Sequence, residues 1–407
     1  MTSYYIGMLY DVIVIVAGIA GLYAATQMRK QMDPNARILI LEKHKRKWLG
    51  GRTSNEIFQG VNVVTGAGIG RKTKDRLLMR LLTEYRIPHT EFTVSKQYAR
   101  TIVNPIDTRK VIRHLREEFE KDPGRWQGKS FKQFAVAILG ERTYNNYMVC
   151  AEYTDYENAD VYETMYMYGL EDNETGWKGV SIPWHTLIEK MAKNLEILYS
   201  RDVVKIVPIA SDYFIIETAD ERQYECAKVI IASTITSLRK LLPTYKIYRE
   251  IEGQTFLRLY GKFDVRSAEI MSREVPKMTI VPGPLKKIIP MGQGIYMIAY
   301  TDNKSAEMLK NKTDNTLNNR ETLCRMLERA LGTEEKLKMT AIREYYWPVG
   351  THYYKPRQYV DKPYDKFLYE LQHPMKGIVV VGEVVSANHG WVEGALESVE
   401  RINNPKN

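Results

Sequence analysis

Two glycines and one acidic residue near the N-terminus have the types and the spacing that bind a dinucleotide. Gly18 and Gly21 follow an apolar run, and Glu42 stands 21 residues after Gly21. Such glycines permit a tight turn, the approach of a pyrophosphate and the packing of a helix on a strand, and an acid about 20 residues later accepts hydrogen bonds from a ribose. The spacing therefore predicts a site for a dinucleotide cofactor.

The first glycine of this fingerprint is missing, because Val16 occupies its position. A β-branched residue adopts a positive φ poorly and adds bulk where the backbone should approach the ligand. Two outcomes stay open. Either the turn shifts slightly and binding persists, or the cofactor site is weakened or lost.

The elements around these residues predict an α/β fold. Residues 11–16 and 37–41 are apolar, β-branched runs typical of strands buried on both faces, and residues 22–32 between them have helical character. Such a strand–helix–strand unit builds a parallel sheet. Residues 107–195 predict mainly helices. Strand signals return at 203–216, 228–232, 256–264, 296–300 and 377–381. We therefore predict a Rossmann-type domain interleaved with a mixed α+β domain.

The composition is that of a globular protein with two or three domains. The chain has 407 residues, of which 44% are apolar and 27% charged, and a formal net charge of +10 that would favour an anionic partner. Three scattered cysteines argue against a disulfide framework. The longest apolar run, residues 12–25, is shorter than the roughly 20 residues that cross a bilayer. We expect a soluble, intracellular protein without a membrane span.

Other motifs give weaker signals. Residues 43–47 form a basic run, but such a run is more often a solvated loop than a nucleic-acid site, so we do not expect nucleic acid as a partner. The histidines lack metal-ligand spacing, and no G-x-S-x-G elbow is present. We therefore expect no metal site and no serine nucleophile. The tyrosine-rich residues 144–168 predict core packing or, alternatively, a surface for another chain.

Several motifs in the right order resemble the flavin-containing amine oxidase family, which includes monoamine and polyamine oxidases. The similar segments are 49–53 (LGGRT), 65–71 (TGAGIGR), 202–206 (DVVKI), 381–383 (VGE) and 389–395 (HGWVEGA). The resemblance implies an FAD-binding domain from residues 1–75, 199–250 and 375–407. It implies a substrate domain from residues 76–198 and 251–374.

The resemblance also implies how FAD would be held. Arg52 and its neighbouring glycines would lie along the pyrophosphate, and Glu383 would bind ribityl or pyrophosphate oxygens. No cysteine lies near the closing motif, so we expect no covalent bond to the flavin. The implied cofactor-binding residues are Gly18, Gly21, Glu42, Gly51, Arg52, Gly68, Val203, Glu383 and Val392.

The family's chemistry requires a lysine that holds a water near flavin N5 and an aromatic pair that flanks the amine. The strand that best matches the lysine-bearing strand places Arg258 at the lysine position, with Lys262 as a fallback on the same strand face. An arginine is not equivalent, because it is planar and permanently charged. Trp391 falls where the family has one aromatic, and Trp347, in a predicted loop, is the candidate for the other. The alternatives are core packing for both tryptophans and a salt-bridged strand arginine for Arg258. Glu393 could face either the cavity or solvent.

The implied function is oxidation of an amine or amino acid. A hydride passes from the carbon beside the amine to flavin N5, and oxygen reoxidises the flavin. A carboxylate-bearing substrate suits Arg258, since a guanidinium grips a carboxylate with two hydrogen bonds. The alternative is a catalytically silent protein that kept the fold. The chain also resembles relatives encoded by large DNA viruses, for which a virion-associated role is conceivable. A protein partner or a homo-oligomer stays open.

Overall fold

The structure is a computed structural model that describes residues 4–358 and 364–403. The strands are β1 Tyr4–Ile15, β2 Ile38–Leu41, β3 Asn55–Phe58, β4 Val61–Val64, β5 Ile69–Arg71, β6 Thr90–Thr93, β7 Lys96–Tyr98, β8 Lys178–Ser181, β9 Glu196–Leu198, β10 Val203–Ala210, β11 Tyr213–Thr218, β12 Arg222–Ile231, β13 Ile251–Phe263, β14 Met278–Ile280, β15 Lys287–Gly292, β16 Ile295–Asp302, β17 Met339–Tyr354 and β18 Ile378–Val380. The helices are α1 Ile19–Gln31, α2 Arg76–Glu84, α3 Thr108–Lys121, α4 Phe131–Leu139, α5 Glu141–Cys150, α6 Val161–Tyr166, α7 Trp184–Ala192, α8 Ile235–Leu241, α9 Val265–Glu274, α10 Asn303–Leu309, α11 Leu317–Leu331, α12 Tyr364–Gln372 and α13 Val392–Asn403. None of these described helices is long and apolar enough to cross a membrane.

The first large sheet has seven strands and lies between two helical layers. Its order is β10-β11-β12-β1-β2-β9, with β18 beside β12, and β1 pairs in parallel with both β12 and β2. Side chains alternate along β1. Val12 and Val14 share a core with α1, α7 and α13, whereas Ile13 and Ile15 pack with α8 and α12. This arrangement confirms the predicted Rossmann-type unit.

The second large sheet has six strands in the order β17-β13-β16-β15-β14-β7, and all its pairings except β14 with β7 are antiparallel. Its apolar face packs on α9, α10 and α11. Arg258 on β13 pairs with Tyr300 on β16 and with Tyr345 on β17. The mixed α+β part of the fold is thus built around this sheet, while the residue boundaries of the two domains stay a prediction.

The middle of the chain is helical, as the sequence predicts. Asp107 caps α3 by accepting a hydrogen bond from the Lys110 N–H, and the buried stripe of α3 packs against α4, α5 and α6. Tyr144, Tyr147 and Tyr156 are buried in this helical core. Much of the tyrosine-rich segment therefore packs inside the protein.

The segment around Trp347 is a strand, and the prediction of a loop was wrong. β17 contains Pro348 and Gly350, but it is an edge strand that pairs with β13 on one side only. The register shifts between the Phe256–Trp347 and Gln254–Thr351 pairs. An edge strand tolerates a proline, and a bulge absorbs the extra residues, so a Pro/Gly pattern does not interrupt the strand here.

Candidate active site

The turn between β1 and α1 carries the fingerprint glycines. Val16 has a φ of 85°. A Cβ on Gly21 would lie 2.0 Å from the Val16 carbonyl oxygen, so only a glycine allows α1 to pack this closely on the turn. Gly18 precedes α1 without a side-chain cap. This leaves the helix N-terminus available to an anion.

Replacing Val16 with glycine should relieve strain in this turn. A β-branched residue at positive φ costs about 1–2 kcal/mol, so we expect Val16→Gly to raise the free energy of unfolding by about 1 kcal/mol and to tighten FAD binding roughly tenfold. Urea denaturation and titration of flavin fluorescence would measure the two effects. Gln59→Gly is the matched control, since Gln59 also has a positive φ but lies in the β3–β4 turn. Unchanged FAD affinity in Val16→Gly would contradict the idea that Val16 weakens the cofactor site.

Glu42 and Val203 lie at the same end of the parallel sheet. The buried Glu42 carboxylate accepts hydrogen bonds from the backbone N–H groups of Ala17 and His44, each at 2.8 Å. The chain that leads into β10 runs beside it, because the Arg201 N–H donates to the Glu42 carbonyl oxygen at 2.8 Å. This is the place where the sequence expects the adenosine part of FAD.

Glu383 is the centre of a buried polar network behind the fingerprint turn. Arg52 Nη1 donates to Glu383 Oε1 at 3.2 Å and to the Gly350 carbonyl oxygen at 2.6 Å. His352 Nδ1 lies 2.7 Å from Glu383 Oε2, and His352 Nε2 accepts the Ile235 N–H at 3.1 Å. A backbone N–H can only donate, so His352 is neutral and carries its proton on Nδ1.

The protonation of this network follows from burial and from its donors. Burial lowers the pKa of His352, which keeps the imidazole neutral. Burial by itself would raise the pKa of Glu383, but His352, His389 and Arg52 together hold it well below its usual range. Glu383 is therefore a carboxylate inside the protein.

A cavity of about 530 Å³ extends from this network towards the second sheet. Several residues that the sequence analysis singled out line it: Arg52, Gly68, Arg258, Trp347, Glu383, Trp391 and Val392. Trp347 Nε1 donates to the Thr65 carbonyl oxygen at 2.8 Å, and the Arg71 guanidinium carbon lies 3.9 Å from the centroid of the Trp391 ring. Both indoles thus have fixed orientations at the cavity wall.

Arg258 is a buried cation that forms no ion pair with the residues that the structure describes. Its Nε donates to the Gly66 carbonyl oxygen at 2.6 Å, and its Nη2 donates to the Tyr300 hydroxyl at 2.9 Å. A Cβ on Gly68 would lie 3.1 Å from Nη2. Arg258 is only 2% exposed, and within the described ranges no carboxylate pairs with it. The alternative of a salt-bridged strand arginine is therefore wrong for this part of the chain.

Two further expectations are resolved by the side-chain positions. Lys262 lies about 13 Å further along the strand than Arg258 and bonds the Gln293 carbonyl oxygen, away from the cavity. Glu393 faces neither the cavity nor solvent. It accepts the N–H groups of Leu77 at 2.7 Å and Leu78 at 2.9 Å, and burial raises its pKa to about 7. Glu393 is thus a cap for the N-terminus of α2.

The cavity is also lined by ionisable residues that the sequence analysis missed. Lys287 Nζ lies 3.2 Å from the centroid of the Tyr153 ring and 4.0 Å from that of Tyr300. It is 3.6 Å from Glu152 Oε2 and makes no hydrogen bond in the described part of the chain. Asp155 lines the same cavity. No local motif marks these residues, and the tyrosine-rich composition near Asp155 was the only signal.

Lys287 should reduce stability at neutral pH. Burial lowers its pKa from 10.5 to about 7, so between these values the unfolded chain binds more protons than the folded protein, and stability rises with pH. We expect the free energy of unfolding of the wild type to increase, relative to Lys287→Met, by about 2–3 kcal/mol between about pH 7 and pH 9. Urea denaturation at each pH measures this difference. Lys304→Met, at an exposed lysine, should show no such trend, and parallel curves for Lys287→Met would contradict the prediction.

Two family models match long stretches of the chain. Residues 14–85 match the model of an NAD(P)-binding Rossmann-like domain, and residues 116–401 match that of the flavin containing amine oxidoreductases. The second match covers more than half of the chain, so the protein belongs to the flavin-containing amine oxidoreductase family. Membership implies FAD as the cofactor and oxidation of amines as the general class of reaction.

Solved structures of putrescine oxidase have the same fold. Three of them come from a structure-based redesign of cofactor binding, among them a single mutant with a TM-score of 0.75 and a double mutant with 0.73. A third, with 0.72, is the wild type bound to putrescine. Each shares 14% identity over 97% of this chain and 98% of the other. Such low identity shows the fold alone. No curated protein sequence matches the chain.

The glycines in the β1–α1 turn and in the neighbouring segment 49–53 leave room for FAD. A Cβ on Gly51 would meet no atom within 4 Å, and one on Gly18 would meet only Val16 Cγ1, at 3.9 Å. Arg52, about a third exposed at its side chain, supplies a positive charge beside this space. The free space, the uncapped start of α1 and this cation together fit a pyrophosphate.

Proposed function

We propose that the protein is an FAD-dependent oxidoreductase of the amine oxidase type that acts on an amine or an amino acid and holds FAD without a covalent bond. The observation that carries the proposal is the cavity that joins the Gly66–Gly68 segment to Arg258, Trp347 and Trp391. When bound, FAD would accept a hydride at N5 and return the electrons to oxygen.

The protein would bind and orient the amine between Trp347 and Trp391. Indole faces attract a cation and also pack against a neutral amine. Arg71 supports the outer face of Trp391 and is itself held by Asp75 at 2.6 Å and Asp172 at 2.7 Å. This chain of contacts would keep the indole in place while substrate enters and leaves.

Arg258 favours a substrate that carries a carboxylate. A charge buried in a protein is normally paired, because removing it from water is costly. The Arg258 guanidinium has only neutral partners within the described residues, namely a carbonyl oxygen, a thioether and a hydroxyl. A substrate carboxylate would supply the missing counter-charge, which supports an amino acid over a diamine.

An absorption spectrum of the gently purified protein between about 300 and 550 nm is the first test of the proposal. We expect flavin bands, release of free FAD on heating, and hydrogen peroxide formation with at least one member of a panel of amines and amino acids. Flavin bands without turnover on any member of the panel would count against the oxidase.

The second candidate is a catalytically silent protein with a structural or binding role, for example in a virion. The strained Val16 and the arginine at the lysine position favour it. This candidate predicts a colourless protein that does not bind added FAD. Bound flavin with peroxide formation would exclude it.

A further inference from the structure

A carboxyl group faces the cavity from the segment between α5 and α6. Asp155 Oδ1 accepts a hydrogen bond from the Tyr168 hydroxyl at 2.6 Å. Its Oδ2 lies 4.0 Å from the position that a Cβ would take on Gly390, the residue before Trp391. Asp155 therefore lies beside the wall at which the amine would be held.

A second, small chamber of about 20 Å³ borders the other side of Asp155. Gln254 and His389 also line it, and both are at least nine-tenths buried. Gln254 Oε1 and His389 Nε2 have no hydrogen-bond partner within the described ranges, and His389 Nδ1 lies 3.7 Å from Glu383 Oε2. A water needs roughly 10–15 Å³ and two to four polar partners. The chamber therefore has the volume and the polar lining for one water.

The surroundings of Asp155 bring its titration close to neutral pH. Burial and, second, the Asp302 carboxylate raise the pKa of Asp155 to about 7, against the opposing effects of Tyr168 and Lys287. Asp302 is held by the backbone N–H and the hydroxyl of Thr154. The titratable groups that face Asp155 or share its chamber are Tyr156, Glu163, Tyr168, Lys287, Asp302, His352, Tyr353 and His389.

We propose that Asp155 accepts the proton of the substrate ammonium before hydride transfer, with Tyr168 as the positioning residue for its carboxyl. The proposal rests on the proposed amine oxidation, because an ammonium nitrogen has no lone pair with which to expel a hydride from the neighbouring carbon. In this step one N–H bond of R–NH₃⁺ breaks and an O–H bond forms on Asp155. The bonding electron pair stays on nitrogen, so R–NH₃⁺ and a carboxylate become R–NH₂ and a carboxylic acid.

The first arm of the test follows anaerobic flavin reduction in the FAD-loaded protein between about pH 6 and pH 10, with an amine that the peroxide panel identifies. We expect the wild-type rate to fall below about pH 7, whatever the pKa of the amine. Asp155→Asn should be about 30-fold slower at pH 7.5, and its rate should follow the pKa of the amine instead. Tyr168→Phe should move the acid limb to higher pH with little change in the maximum rate, because this hydrogen bond lowers the pKa of Asp155.

The second arm does not need turnover. Infrared difference spectra at pH 8 with tert-butylamine, which has no hydrogen on the carbon beside nitrogen, should show a shifted carboxylate band on binding to the wild type, because the ammonium would contact the Asp155 carboxylate. The band should be absent in Asp155→Asn and retained in Asp220→Asn, a surface control. If Asp155→Asn does not fold, the wild type and Tyr168→Phe still decide the question.

The outcomes separate the two proposals. Flavin reduction in Asp155→Asn with the wild-type rate and pH limb would overturn the role of Asp155 and leave amine oxidation standing. If no amine reduces the flavin of any variant, the proposed function fails, and the role of Asp155 in it fails as well, whatever the infrared spectra show. Absence of the shifted carboxylate band in the wild type would overturn that role.

Discussion

Replacing Glu383 with glutamine should weaken FAD binding about 100-fold and lower the free energy of unfolding by about 3 kcal/mol. The Glu383 carboxylate accepts hydrogen bonds from both Arg52 and His352 and carries a negative charge, which the glutamine amide lacks. The NH₂ group of the glutamine would then face Arg52 or His352, each of which is a donor itself, so a buried N–H would be left without an acceptor. Flavin fluorescence titration and urea denaturation would measure the two changes.

The control for this prediction is Glu189→Gln. Glu189 also pairs with an arginine, Arg46, at 3.1 Å, but this pair lies at the surface. Exposed pairs contribute about 0–1 kcal/mol, so the control should bind FAD normally and lose little stability. If Glu383→Gln behaved like Glu189→Gln, the buried network would have no special part in holding the cofactor.

Replacing Arg258 with methionine should reduce kcat/KM at least about 100-fold for an amino acid but about tenfold or less for the matching amine without a carboxylate. Leucine and isopentylamine form such a pair, since they differ only in the carboxylate. The buried guanidinium has no anionic partner among the described residues, so its loss should remove substrate binding without destabilising the fold. Peroxide formation over a range of substrate concentrations measures the effect.

Two further variants test whether charge or shape matters at this position. Arg258→Lys keeps the charge but loses the planar fork, so it should lie between the wild type and Arg258→Met. Arg343→Met, at an exposed arginine on β17, should leave both substrates unaffected. An equal loss with leucine and isopentylamine in Arg258→Met would contradict an anion-binding role.

The nucleotide-binding half of the fold could be predicted because its signals are local. Strands buried on both faces need continuous apolar residues, and the glycine turn and Glu42 follow at set distances along the same stretch of chain. The cap of α3 at Asp107 is equally local, since it joins residues three apart. Such features can be predicted from the sequence, because the residues that interact are close together in it.

Other features depended on where an element lies in the fold. The Pro348–Gly350 segment predicts a loop in isolation, yet it forms a strand because β17 lies at the edge of its sheet. Glu393 belongs to α13 but caps α2, more than 300 residues earlier in the chain. A sequence pattern does not show which other element a helix or strand packs against. The strand at Pro348–Gly350 and the cap formed by Glu393 could therefore not be predicted from it.

The sequence by itself determined the dinucleotide-binding unit, the order of the family motifs and the anomalous residues Val16 and Arg258. Only the tertiary structure decided that Arg258 has no counter-ion among residues 4–358 and 364–403, and that Lys287 and Asp155 line the same cavity as Arg258. The physical reason is that the burial and the pairing of a side chain depend on residues that are close in the fold but distant in the sequence. The pKa of Asp155 is raised by its desolvation and by Asp302, which is 147 residues away along the chain.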